Sequence, residues 1–408
     1  MTFMIAIKGR IVDCTGADPI ENGIVIISND HIVEVGKEKD VKIPSDSNVI
    51  DASGKTIIPG LIDCHTHFCS VATSMDDSVD LPPKSYDVCK STLYGVENAK
   101  RWLNAGVTTV RDIGCKHRGI FALREEIEAG RILGPTLILA GRIITQSGRS
   151  GSFGVAADGA NEVRRAARQD LGAGAEWVKV YASGGGSASR LRDPWDVWMT
   201  TEEIAAACDE AHSKGMKAAA HAVNAESAMR CVKAGIDSIE HGVLLDDEVL
   251  EAMRKHNVYY CPTAYYYHIR GEHPSIPEWI RKRISTELLH VQRQCVKKAS
   301  EIGVKLVAGT DMGAPSEEGL SEPDALAQEL MLRVKYGLSP IHVLMSSTRT
   351  AAEMLGVKDK VGTLEKGKLA DVVVVEGDPL KSMEAVLPEN VWLVMKKGIT
   401  IHDGYKHL

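Results

Sequence analysis

Nowhere do eighteen apolar residues run together in this chain, so a membrane-spanning helix is excluded by length alone. The opening residues, Met-Thr-Phe-Met-Ile-Ala-Ile-Lys-Gly-Arg, become charged too early for a secretory leader. Nine cysteines are scattered along the chain without a Cys-x-x-Cys spacing, which fits reduced thiols better than a disulfide framework. No block of like charges forms a binding tail, and a net charge of -7 leaves no nucleic-acid footprint. No Gly-x-Gly-x-x-Gly opens a helix, which removes the usual sign of a dinucleotide site. These absences predict a cytoplasmic protein acting on a small molecule, with neither nucleic acid nor membrane as partner.

What is present is a sequence of two grammars. Residues 1–57 alternate short β-branched runs with turn signals, as do residues 361–408, where Ala370–Val375 and Val391–Lys396 flank Gly377-Asp378-Pro379. The simplest arrangement joins both ends in one small β-sandwich-like domain. Residues 58–360 instead repeat strand then helix. Apolar runs fall at 107–113, 137–144, 176–182, 217–223, 237–241, 258–264 and 304–311, besides the one ending at His67. Thr200 and Glu203 form a capping box ahead of a helix whose inner face carries Ile204, Cys208 and Ala211, and Gly215 stops it. Eight strands alternating with helices predict a (β/α)8 TIM barrel, with a doubly wound open sheet as the alternative.

In such a barrel the C-terminal strand ends build the site. His65 and His67 alternate on one strand, so both imidazoles face one point, as two ligands of a divalent transition metal must. The other strand ends offer Lys179, His221, His241 and Asp311. Singly these have plain explanations: a core histidine, a turn aspartate. Lys179 does not, because an unpaired lysine in a buried strand is costly.

These pieces resemble the amidohydrolase superfamily over nearly the whole chain. The matching segments are Pro59–His67, Ala105–Asp112, Lys179 with Ser183-Gly-Gly185, His221, Ile239–Gly242, Gly309-Thr-Asp311 and Val361–Asp371. Within it the chain is most similar to prolidase-type metal-dependent dipeptidases and their amide-, urea- and carbamate-cleaving relatives. The resemblance implies two divalent metal ions, usually zinc. His65, His67 and Asp311 would hold the more buried ion and His221 and His241 the other. Lys179 would bridge both as a carbamate formed with carbon dioxide (N6-carboxylysine). It further implies hydrolysis of a carbon–nitrogen bond by activated water, with Asp311 moving the proton, and a homo-oligomer. The rival readings are a lyase or isomerase on the same barrel, a deaminase, which usually lacks the lysine, and a scaffold, which would need none of these ligands.

Two positions depart from the dipeptidase pattern. Gly-Gly-His-Gly after the third strand is replaced by Gln146–Gly154, and the tyrosine two residues past the fifth-strand histidine is Val223. The expected substrate is therefore an N-acyl amide, N-acyl amino acid, urea or carbamate, with a Xaa-Pro or Xaa-Xaa dipeptide as the alternative. Candidate substrate contacts are Arg149, Tyr181, Gly184, Gly185, Tyr265 and His268, and Trp195 with Trp198 are expected to form an apolar wall or a subunit contact.

Overall fold

β-branched residues crowd both ends of the chain, and there they pair. A computed structural model describes residues 4–71, 88–115, 117–148, 154–185, 193–274, 276–314 and 324–403. One seven-stranded sheet runs Ile399–Asp403, Val391–Lys396, Val372–Glu376, Asn48–Pro59, Met4–Ile11, Ile20–Ser28, His31–Lys37. Asn48–Pro59 stitches the two ends together, antiparallel to one half (Val374 opposite Ile57) and parallel to the other (Ile7 opposite Ile50). Side chains alternate across a strand, so the two faces go to different cores. Ile57, Val372 and Val374 join Ile7, Val25, Leu393 and Met395 in a core of the terminal β-sheet domain. Ile58, Val373 and Val375 face the other way and merge with the core around the barrel.

The intervening chain closes into the barrel. Parallel ladders link Leu61–Val71, Val107–Asp112 and Thr136–Leu139 on one side. On the other they link Trp177–Tyr181, Lys217–Asn224, Ser238–Leu244 and Tyr259–Cys261. The third strand, read as continuous over 137–144, breaks at Gly141, whose φ is +72°. Its first half pairs with the second strand and its second half, Ile143–Thr145, with Lys179 and Val180 of the fourth. The other seam closes where Val307 donates to the Tyr260 carbonyl (3.0 Å) and Cys64 donates to that of Ala308 (2.9 Å).

Two predicted strands are shorter than expected. The seventh ends at Cys261 because Pro262 has no N–H for a ladder, and a helix, Ala264–Glu272, begins soon after. The run 304–311 makes a single bridge, Leu306 to Tyr260. Asp311 then leaves extended geometry at φ +59°, before Met312–Ala314 pairs with the first strand. The helix Thr201–His212 carries both hydrogen bonds of the capping box and buries Ile204, Cys208 and Ala211 as expected. Among the described residues no helix is long and apolar enough to cross a membrane.

Candidate metal centre

The strand ends bring the predicted side chains together. His65 and His67 lie on one strand with ring centroids 5.6 Å apart. Asp311 reaches them from the end of the eighth run, its backbone N–H donating to the His65 carbonyl at 2.7 Å. Its Oδ1 sits 3.2 Å from His65 Nε2 and 3.1 Å from His67 Nε2. The His241 ring is 4.9 Å from that of His65, and the His221 ring 4.5 Å from that of His241. Lys179 is fully buried, its Nζ 5.8 Å over the Tyr181 ring. Ligand atoms of His65, His241 and Asp311 all lie within 4.8 Å of one another, a grouping that can hold a metal ion. Close approach of the eighth run to the first strand requires Gly309, where a Cβ would meet His65 Cβ at 2.6 Å.

Each imidazole is oriented by one nitrogen, leaving the other free to ligate. His65 Nδ1 pairs with Glu240 Oε2 at 2.7 Å, and His67 Nδ1 with the Gly114 carbonyl at 2.7 Å. His221 Nε2 meets the Gly184 carbonyl at 3.0 Å, and His241 Nδ1 the Thr263 hydroxyl at 2.8 Å. Burial, reinforced by the Lys179 charge, takes the His221 imidazolium down to about 3. Burial and neighbouring His221 hold His241 well below its usual range, so both rings stay neutral, the form that binds metal. Burial opposes the Asp311 charge, but His65 and His67 outweigh it and keep the carboxyl ionised. His241, Thr263 and Asp311 all adopt positive φ (71°, 45° and 59°), strain that costs a non-glycine residue about 1–3 kcal/mol and gathers at functional sites.

Beneath the histidines lies a buried ion-pair network that sequence reasoning missed. Arg111 donates to Glu240 Oε1 (2.8 Å), the Ser238 hydroxyl (3.1 Å) and the Cys64 carbonyl (2.5 Å), and stacks on Trp177. Burial raises the Glu240 carboxyl, but Arg111 and then His65 pull it well below its usual range. It therefore stays anionic and fixes the His65 tautomer. Asp63 steadies the same strand end, accepting from the backbone N–H groups of His65 (3.2 Å) and Thr310 (3.1 Å).

Whether this chemistry fits a metal is answered by what is left over. His221 Nδ1 and Lys179 Nζ are buried without a hydrogen-bond partner among the described residues, and His65 Nε2 has only its 3.2 Å contact with Asp311 Oδ1. An unsatisfied buried polar group costs roughly 1–3 kcal/mol. Imidazole nitrogens left in this way beside an ionised Asp311 suit a cation. The donor set fits.

The substrate side is only partly as expected. Tyr181 stands beside His221, ring to ring at 4.4 Å. Gly184 accepts from His221 through its carbonyl, while its N–H donates to Asp196 at 2.9 Å, so the glycine run is tied to the loop 193–198. Gly185 follows it, half-buried. Arg149 lies outside the described residues. Trp198 is buried behind Tyr181 at 6.4 Å, whereas Trp195 is 58% exposed, so the two do not form one wall. Tyr265 and His268 face each other at 6.5 Å, and His268 also approaches Glu272 at 3.7 Å. The residue of that run beside the histidines is Tyr267, fully buried, its ring 6.0 Å from His241. Its helical register after Thr263 singles it out, and the sequence carries no signal for where that helix starts.

Comparison with known proteins agrees with this geometry. Residues 56–401 match the model of the amidohydrolase family. The chain belongs to that family. As an amidohydrolase it is a metal-dependent hydrolase of carbon–nitrogen bonds. It is 29% identical to ochratoxinase of Aspergillus niger, over 93% of this chain and 83% of that protein. A Xaa-Pro dipeptidase with methionine bound in its active site superposes with TM-score 0.86 at 27% identity, covering 98% of this amidohydrolase and 100% of that chain. A prolidase complexed with N-methylphosphonate-L-proline gives TM-score 0.86 at 26% identity, covering 97% and 99%.

Proposed function

We propose that this amidohydrolase cleaves the amide-type bond of a small molecule carrying an aryl or apolar group beside the carbonyl: an N-acyl amide, an N-acyl amino acid, a urea or a carbamate. His65, His67 and Asp311 would hold one divalent ion and His221 and His241 a second, and Lys179, as its carbamate, would supply an anionic oxygen ligand between them. Zinc is the proposed metal. When bound, the ions supply Lewis-acid activation of water and of the substrate carbonyl. The observation that carries the reading is Lys179 Nζ, buried and without a partner among the described residues. A carbamate turns that amine into an anionic oxygen donor, adding a second negative ligand to the neutral imidazoles and the one carboxylate.

Asp311 does the proton work. Its Oδ1 is engaged by His65 and His67, leaving Oδ2 on the His241 side, 3.9 Å from Nδ1. Held ionised, the carboxylate accepts the proton of the attacking water and returns it to the leaving nitrogen. Asp311→Asn is expected to lower kcat by about 10²–10⁴-fold with an unchanged circular dichroism spectrum. Near-wild-type kcat would remove Asp311 from this role.

Tyr181 beside His221 and Tyr267 beside His241 make the walls aromatic, which favours an aryl or apolar acyl group. A second reading, dipeptide hydrolysis, draws support from the likeness to a Xaa-Pro dipeptidase. Rates on an N-acyl amino acid and its amide-capped analogue show whether a substrate carboxylate is read. Cleavage of the capped analogue at a comparable rate supports an N-acyl amide, urea or carbamate. A large loss on capping supports an N-acyl amino acid or a dipeptide and points to Arg149 as the carboxylate contact.

A further inference from the structure

Tyr267 carries a polar atom that the folded protein leaves unused. Its side chain is fully buried, and its hydroxyl has no hydrogen-bond partner among the described residues. The rest of the ring is well held. Val223, Val243, Leu244, Ile276 and Ile280 belong to the same apolar cluster, and Tyr266 meets it edge to face at 5.5 Å. A position that served packing alone would be served better by phenylalanine, because an unsatisfied buried hydroxyl opposes folding.

The helix bearing Tyr267 is built onto the metal centre. It starts after Thr263, whose hydroxyl is occupied by His241 and does not cap the helix. Glu329, from another helix, accepts from the Tyr265 N–H at 2.7 Å instead. The first turn is thereby fixed from two sides, and the Tyr267 ring meets His241 edge to face at 6.0 Å. Tyr266 next to it has its hydroxyl taken by Arg270 at 3.1 Å.

We infer that the Tyr267 hydroxyl donates a hydrogen bond to the carbonyl oxygen of the scissile bond as that oxygen gains negative charge. The role rests on the amide hydrolysis proposed above and makes Tyr267 a catalytic residue of it. A fixed donor aimed at developing charge needs no reorganisation during the reaction, and loss of one such donor lowers kcat by about 10²–10³-fold. A phenol serves here because its O–H is a hydrogen-bond donor.

The test compares Tyr267→Phe with Tyr266→Phe in zinc-loaded protein, measuring kcat, KM, metal content, melting temperature and affinity for an N-methylphosphonate analogue of an N-acyl amino acid. A phosphonate oxygen carries the charge that the carbonyl oxygen acquires only in the transition state. For Tyr267→Phe we expect kcat to fall about 10²–10³-fold, KM to stay within threefold and phosphonate affinity to fall in parallel, with metal content and melting temperature preserved. Tyr266→Phe is expected to keep kcat within threefold. The inference is overturned if Tyr267→Phe keeps kcat and phosphonate affinity within threefold, loses metal, or is matched by Tyr266→Phe. If the wild-type protein binds zinc and cleaves no amide, the hydrolase reading fails, and phosphonate affinity alone decides the Tyr267 role.

Discussion

Lys396 in the terminal sheet and Lys179 in the barrel are both enclosed, and burial pushes both ammonium groups below the ordinary lysine range, that of Lys179 to about 8. Their surroundings differ. Lys396 Nζ lies 2.5 Å from Asp371 Oδ2 and 2.9 Å from the Thr136 hydroxyl, a paired charge that ties the sheet to the third barrel strand. Lys179 Nζ has no partner among the described residues, although Glu240 and Asp311 are near enough to act on its charge. The same contrast separates Arg111, satisfied by three acceptors, from Lys179 within one barrel interior. A buried cation that holds the fold together brings its counter-charge with it. Lys179, left without one among the described residues, is the side chain that the proposed carbamate would modify.

The largest effect that tests this contrast is the removal of Lys179. Lys179→Met is expected to take turnover to background and to lower the bound metal measured by elemental analysis. The metal-free variant should nonetheless be no less stable than metal-free wild type, and more stable by up to about 1–3 kcal/mol, because an unsatisfied amine has been removed. A metal-free variant that melts well below wild type would make Lys179 structural and erase the contrast with Lys396.

Lys396→Met should behave oppositely. It strands Asp371 beneath the sheet, and breaking a buried pair costs about 3–5 kcal/mol. Denaturant titration should show the loss, while kcat per folded molecule stays at the wild-type value.

A smaller effect concerns Glu329. Burial raises its carboxyl to about 7 despite Arg333, so the folded state binds a proton that the unfolded state has already released. Stability is therefore expected to fall as pH rises from about 4.5 to 7, by roughly 3 kcal/mol at most, and to level off above. Glu329→Gln should flatten that slope. An unchanged slope in the variant would assign it to other groups.

The candidate ligands stood out in the sequence because each signal is local. His65 and His67 share a face by a spacing of two, and Lys179 stands out in a buried strand because burial is costly for it. The barrel and the joining of the chain ends followed from repeated strand–helix periods and from returning β-branched runs. The Arg111–Glu240 pair was not legible. The two residues are 129 positions apart and meet only across the closed barrel, and Val-Arg-Asp or Ile-Glu-His read singly as ordinary strand ends. Tyr267 was hidden among three tyrosines. Its selection depends on helix register after Thr263, whose left-handed geometry and missing side-chain cap leave no sequence signal for the helix start.

The most direct test of the central claim is metal analysis of active protein purified in 13C-labelled bicarbonate, combined with carbon NMR. The account predicts two divalent ions per chain and one labelled carbamate carbon that is absent from Lys179→Met. Fully active protein with an unmodified Lys179, or without metal, would contradict it.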